Sequence, residues 1–210
     1  MIDRSSYLLY VATCVALILV PGPAQALVLA RTMAGGRRAG ALTAIGLNVG
    51  TLCHTVAAAL GLSAILATSA LAFSVVKLAG AAYLIVLGIR SLIQEDASPA
   101  VTRVAASAAK PNAAFGQAVV TGILNPKVAL FFLAFLPQFV QPALGHLFGQ
   151  FLLLGATMAV LDTIYECALV VAISRLRARF RGSRTLERWQ AKVSGVVLIA
   201  LGVRLAVQRR

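Results

Sequence analysis

Six membrane-crossing α-helices, arranged as two inverted three-helix halves, are the fold class this sequence predicts. Three observations predict it. First, 60% of the 210 residues are hydrophobic and only 12% charged, with a mean hydropathy of +0.91, whereas a soluble domain carries about a quarter charged residues. Second, apolar runs of about 20 residues, each long enough to cross roughly 30 Å of hydrocarbon, recur along nearly the whole chain. Third, Lys77-Leu-Ala-Gly80 leading to Leu87-Gly-Ile-Arg90 is echoed by Lys192-Val-Ser-Gly195 leading to Leu201-Gly-Val-Arg204. The echo pairs a third helix with a sixth. An odd number of crossings per copy forces consecutive copies to run in opposite senses. The expected organisation is a first repeat at 1–98, a cytoplasmic linker at 99–112 and a second repeat at 113–210.

The expected spans are 7–30, 40–67, 71–93, 114–140, 146–173 and 190–207. Near the first, Arg4, the run Tyr7 to Val20 and the triplet Ala24-Gln25-Ala26 imitate a cleavable secretory signal. The apolar run continues to Ala30, long enough to span, so the segment is read as retained. Only Thr68-Ser69-Ala70 separates the second span from the third, which leaves a merged or re-entrant segment as the competing reading. The fourth and fifth are joined by the uncharged turn Gln141-Pro142-Ala143-Leu144-Gly145.

Loop charge sets the expected orientation. Arg31, Arg37 and Arg38 follow span one, Arg103 and Lys110 follow span three, and six arginines from Arg175 to Arg188 follow span five. Short cytoplasmic loops collect Lys and Arg, so these three loops are placed inside and both termini outside, although Arg209 and Arg210 oppose this. The formal net charge of +13 is thus explained by orientation and by contact with anionic lipid at basic loops. Nucleic-acid binding is not expected. Cys14, Cys53 and Cys167 lie in apolar runs with no pair spacing, so neither a disulfide framework nor a metal pair is suggested.

Chemistry is expected where matched helices break. Span one is interrupted by Pro21-Gly22-Pro23 and span four by Asn125-Pro126-Lys127. Proline has no amide hydrogen, so carbonyls one turn earlier lose their helical partners, and in hydrocarbon they need protein, water or solute. Paired interruptions in opposed repeats point to a midplane site, where half-helix amino ends face a carboxylate and freed carbonyls face a cation. An amino acid presents both charges. The plainer alternative is that the prolines only kink their helices.

Span five carries Asp162 and Glu166 on one helical face. An ionised group at a bilayer centre costs about 2.5–3.5 kcal/mol on insertion scales, and such groups usually face a bundle interior and often relay protons. The competing reading is an internal ion pair with Lys127 or Lys77. In span two, Asn48, Thr51 and His54 form a polar stripe that serves equally as interhelical glue, and Gly36, Gly40, Gly46 and Gly50 are expected as helix-contact residues. No phosphate-binding glycine loop, His-x-x-x-His, Cys-x-x-Cys or Gly-x-Ser-x-Gly occurs. ATP-driven transport, thiol relay and serine hydrolysis lose support, and no enzyme activity, cofactor or metal site is expected.

The stretches Val20-Pro-Gly-Pro-Ala, Leu29-Ala-Arg-Thr-Met-Ala-Gly-Gly-Arg-Arg-Ala-Gly40 and Gly50-Thr-Leu-Cys-His54 resemble the LysE/RhtB family of amino-acid exporters. Gly122-Ile-Leu-Asn-Pro-Lys through Phe139 is similar to that family's second signature, and Gly195 to Arg204 to its last helix. The resemblance implies export of amino acids or related solutes across the bacterial inner membrane, driven by an ion gradient. Two departures stand out: many members carry an acid where this chain has Thr51, and an Asn after Pro-Gly-Pro where this chain has Ala24-Gln25.

The combined expectation is alternating access with proton antiport. Solute binds at Pro21, Gly22, Pro23, Gln25, Asn48, Thr51, Asn125 and Pro126; Asp162, Glu166 and His54 exchange protons; Lys127 and Lys77 balance charge. Metal or inorganic cation efflux, with one membrane histidine as a poor soft-ligand set, and a non-transporting membrane protein remain the alternatives. A homo-oligomer is compatible with the sequence.

Overall fold

The computed structural model describes residues 2–20, 22–68 and 111–176 continuously, with isolated helical positions between 71 and 89 and between 196 and 203. Pro21 and Lys77 lie outside the described residues, as do both arms of the internal echo in most of their length, the linker up to residue 110 and the basic segment beyond Leu176.

Helix α1 spans Arg4–Leu19. Asp3 caps it: the carboxylate accepts the backbone N–H groups of Ser5 and Ser6 at 3.2 and 3.3 Å and also the Ser5 hydroxyl, satisfying donors that the first helical turn leaves open. The Ser5 hydroxyl, then the Ser6 amide, hold the Asp3 carboxyl below the ordinary carboxylate range. The helix ends at Val20, just before the Pro-Gly-Pro break.

Helix α2 runs Pro23–Thr68 but is bent at Gly36, whose φ of 75° and ψ of −168° are non-helical. A straight helix of 46 residues would measure about 69 Å, more than twice the hydrocarbon thickness. The bend resolves this as a hairpin. Thr32 and Gly40 would stand about 12 Å apart along a straight helix, yet the Thr32 side chain lies against Gly40 so closely that a Cβ there would overlap it. Gly36 is therefore not the helix-contact residue expected: a Cβ there would meet nothing within 4 Å, and its conformation is nearly exclusive to glycine. It is the turn between an arm at 23–35 and an arm at 37–68.

Helix α3 spans Pro111–Ile123 and α4 Pro126–Leu130. The chain continues as a π-helical turn, Phe131–Phe135, and a 3-10 turn, Leu136–Phe139. The widening has a local cause. Pro137 cannot donate to the ladder, and the Leu136 amide just before it donates back five residues to Phe131. A further 3-10 turn at Pro142–Leu144 leads through Gly145 and His146, both at positive φ (65° and 50°), into α5, Leu147–Leu176. Gln150 closes this turn, accepting from the Gln141 amide at 2.8 Å and donating to the Gln141 and Gly145 carbonyls at 3.0 and 2.7 Å.

Among the described residues the secondary structure is entirely helical. Among the described residues, three segments are long and apolar enough to cross a membrane: Pro23–Leu62, Ala113–Phe139 and Leu147–Arg175. The last two coincide with the spans expected at 114–140 and 146–173. The first crosses the Gly36 turn and contains most of the one expected at 40–67; α1 is a shorter apolar helix. Leu60, Leu124 and Ile164 expose 62%, 72% and 62% of their surface, an outer face suited to lipid.

Packing fixes the relative directions of these elements. At one end Gln141 donates to the Ser6 hydroxyl at 3.4 Å; at the other, the Arg31 guanidinium donates to the Gln117 side-chain carbonyl at 2.7 Å. The beginning of the first broken span thus meets the end of the second, and the reverse, so the two run antiparallel. Tyr10, Leu17, Phe131, Phe132, Phe151 and Leu154 anchor a large buried cluster, while Val28, Ala44, Leu47, Ala118 and Val170 form a smaller one. The second arm of α2 meets α3 through small residues. A Cβ on Gly46 would lie 2.7 Å from that of Ala118, and one on Gly50 only 2.6 Å from the Gly122 Cα, so the backbones approach as small-residue helix interfaces in membranes do.

Candidate functional site

Both interruptions leave open backbone groups, and the protein supplies partners for several of the carbonyls around them. Pro21 and Pro23 remove the donors that would serve the carbonyls of Leu17 and Leu19. The Val20 amide turns back to Leu17 at 3.1 Å, the Gln25 side-chain amide donates to the Ile18 carbonyl at 2.5 Å, and the Lys127 ammonium donates to the Val20 carbonyl at 2.5 Å. In the second break Asn125 caps α4, its side-chain oxygen accepting the Lys127 amide at 3.1 Å, with Pro126 at the first helical position, where a missing N–H costs nothing. The Lys127–Val20 bond joins one break to the other.

Between them lies a small cavity whose lining includes Gly22, Gln25, Asn125, Lys127, Asp162 and Glu166, with Ile18, Ala24, Val128 and Met158 as its less polar wall. Its free space, measured for the centre of a water-sized sphere, is about 20 Å³, enough for a water or two. One ammonium and two carboxylates therefore share an enclosure at the meeting point of two broken helices. Among the described residues the Lys127 ammonium makes no direct ion pair with either acid; its bond is to the Val20 carbonyl.

Glu166 is 1% exposed, and the Asn48 amide donates to its carboxylate at 3.0 Å and to the Ala44 carbonyl at 3.1 Å. Among the described residues the buried Asn48 Oδ1 has no partner. Asn48 thus stands behind Glu166 and does not line the cavity. Thr51 is buried one turn further along, its carbonyl accepting the Thr55 hydroxyl at 2.9 Å. His54 lies further still, its ring centroid 6.0 Å from that of Phe132 and its buried Nε2 without a partner among the described residues. Neither lines the cavity, nor do Pro23 and Pro126. Of the residues expected to act together, the structure gathers Gly22, Gln25, Asn125, Lys127, Asp162 and Glu166.

Met158 was not singled out from the sequence, although it precedes Asp162 and Glu166 by one and two helical turns and shares their face. Ile18 and Val128 carried no sequence signal apart from adjacency to the breaks. Loop charge places Arg31 in a cytoplasmic loop, but the structure has it 3% exposed on the first arm of α2, donating to Gln117, a contact that sequence spacing does not signal. Cys14, Cys53 and Cys167 are free, and among the described residues no group of three or more His, Cys, Asp or Glu gathers in metal-binding proximity.

The chain is similar to proteins named as membrane proteins and as efflux proteins. It is 31% identical over 207 residues to an uncharacterized membrane protein of Vibrio cholerae, covering 99% of both chains. It is 31% identical over 201 residues to a homoserine/homoserine lactone efflux protein of Salmonella typhi, covering 95% of each. It is 26% identical over 202 residues to a leucine efflux protein of Salmonella choleraesuis, covering 96% of this chain and 94% of the relative. No solved structure matches it. The family model described as LysE type translocator matches residues 15–209, and with that match over nearly the full length, the chain belongs to the LysE family of translocators.

Proposed function

We propose that this protein exports an amino acid or closely related small solute from the bacterial cytoplasm, by alternating access and in exchange for protons. The observation that carries this reading is the meeting of two broken, antiparallel helices at a cavity holding Lys127, Asp162 and Glu166. Charged groups at membrane depth are costly unless they face an interior or water, and here three share one enclosure. Similar proteins named for homoserine, homoserine lactone and leucine efflux support the solute class.

In the proposed cycle solute binds between the breaks, against Gly22, Gln25 and Asn125. Asp162 and Glu166 exchange protons with whichever face the cavity opens to. Asn48 orients Glu166, which answers to the missing acid at Thr51: the carboxylate work falls to α5. Lys127 balances the pair while they are ionised. The basic segments after spans one, three and five, carried by Arg37 and Arg38, by Arg103 and Lys110, and by the arginines from Arg175 to Arg188, lie on the cytoplasmic face against anionic lipid, and both termini lie outside.

The test is gradient-driven efflux from proteoliposomes. Asp162→Asn keeps size and hydrogen-bonding capacity but cannot carry a proton, so efflux driven by a pH gradient is expected to fall at least tenfold while the purified variant keeps the wild-type elution profile. Full gradient-driven efflux by Asp162→Asn would remove it from the coupling step.

A further inference from the structure

The cavity already contains an ammonium bound as a solute's would be. Lys127 reaches from the second break across to the first. Its Nζ lies 2.5 Å from the Val20 carbonyl, which ends α1 and lies just before the Pro-Gly-Pro break. Its stem passes Gly22, where a Cβ would stand 3.7 Å from the Lys127 Cδ. Asp162 and Glu166 line the same space. A backbone carbonyl at a helix carboxyl end, carrying the negative end of the helix dipole, with carboxylates alongside, is a subsite for a primary ammonium group. With Lys127 seated, the remaining free space of about 20 Å³ holds water but not an amino acid.

We propose that the Val20 carbonyl, which Lys127 now holds at the edge of the cavity lined by Asp162 and Glu166, is the subsite for the solute's primary ammonium, and that Lys127 is its tethered stand-in, displaced when solute enters and restored when it leaves. This rests on the transport reading above and specifies the ligand chemistry of the same site. On loading, the Lys127 ammonium moves to the carboxylates of the cavity and its stem vacates space along Gly22. The solute ammonium takes the carbonyl. On release Lys127 returns, which keeps a freed carbonyl satisfied in a setting where an unpaired one is costly and closes the empty site. The stand-in competes with solute for one position, so it lowers apparent affinity by the fraction of time it occupies the carbonyl. The site therefore selects for a free primary ammonium and tolerates change at the solute's carboxyl end.

The experiment is counterflow in proteoliposomes of the full chain, with labelled L-leucine and L-homoserine as probes and unlabelled analogues as competitors. L-Leucine methyl ester and L-leucinamide, which keep the ammonium, are expected to compete within about threefold of L-leucine. N-acetyl-L-leucine and 4-methylpentanoate, which lack it, are expected to compete at least tenfold less well. Lys127→Met is expected to raise apparent affinity for the ammonium-bearing probes severalfold and to depress net efflux, since nothing refills the carbonyl after release. Equal competition by the N-acetyl and deamino analogues overturns the ammonium subsite while leaving transport intact, and needs no variant. A well-folded Lys127→Met with weaker apparent affinity overturns the stand-in role. Absence of counterflow in the wild type for L-homoserine and for every proteinogenic amino acid, L-leucine included, overturns the transport reading itself, a result distinct from either.

Discussion

Gly122→Ala tests whether the helix contact beneath the cavity is as close as the structure has it. A Cβ on Gly122 would lie 2.5 Å from the Leu47 carbonyl oxygen and 3.1 Å from the Leu47 Cα and carbonyl carbon. All three are backbone atoms of the second arm of α2, so no side-chain rotation relieves the overlap. The helices must part by at least 0.5 Å to bring the closest of these contacts to 3.0 Å. Overpacking of this kind costs about 1–3 kcal/mol, which for a chain of this size corresponds to a melting temperature lower by roughly 2–12 °C. The same helix supplies its own control. A Cβ on Gly116 would meet nothing within 4 Å, so Gly116→Ala should be neutral or stabilising, by up to about 1 kcal/mol through helix propensity. Thermal unfolding of both variants in one detergent reads the difference. The displacement also reaches function, since Leu47 adjoins Asn48 and Gly122 lies three residues before Asn125. Loosening the pair should lengthen the 3.0 Å Asn48–Glu166 bond and lower efflux. If Gly122→Ala melts with or above Gly116→Ala, the close approach is wrong, and with it the placement of α3 against α2.

Gly36→Ala places a Cβ on a backbone at φ 75° and ψ −168°, at a cost of about 1–3 kcal/mol; a lower melting temperature in the same detergent is expected, although the position has open space around it. Asn125→Ala removes the cap of α4 and the acceptor for the Lys127 amide at 3.1 Å, for a loss of about 1 kcal/mol, whereas Asn125→Ser should recover most of it; equal stability of the two variants would deny the cap. Tyr10→Phe deletes a buried hydroxyl that donates to the Leu154 carbonyl at 2.7 Å and should cost about 0.5–1.5 kcal/mol, read by the same melt.

Much of the candidate site was legible before any coordinates because its chemistry is expensive. Asp162, Glu166 and Lys127 are charges in apolar runs, and Pro21, Pro23 and Pro126 are ladder breakers in helices; each violates the local rule of its surroundings, so each draws attention without knowledge of the fold. The two bilayer-length segments Ala113–Phe139 and Leu147–Arg175, the uncharged turn after span four and the small-residue faces at Gly46 and Gly50 follow from periodicity and length alone. Gly36 shows where that reasoning stops. A glycine in a run of small residues reads as a helix contact whether it packs or turns, and only its positive φ distinguishes the two. Asn48 shows the same limit. Its three-residue spacing to Thr51 predicted a shared face but not that its amide would serve Glu166 and not a solute.

What the amino-acid sequence determined by itself is that this is a helical membrane protein of the LysE type with two broken spans and acids set in an apolar run, because hydropathy, proline and charge are properties of single residues and short windows. What only the tertiary structure decided is which of those residues share a space. The contacts from Lys127 to Val20, from Glu166 to Asn48 and from Arg31 to Gln117 join positions 86 to 118 residues apart, and local pattern is silent on such pairings. They are set by the antiparallel packing of the two broken spans, which brings one break against the other and leaves an ammonium on the carbonyl at the first break.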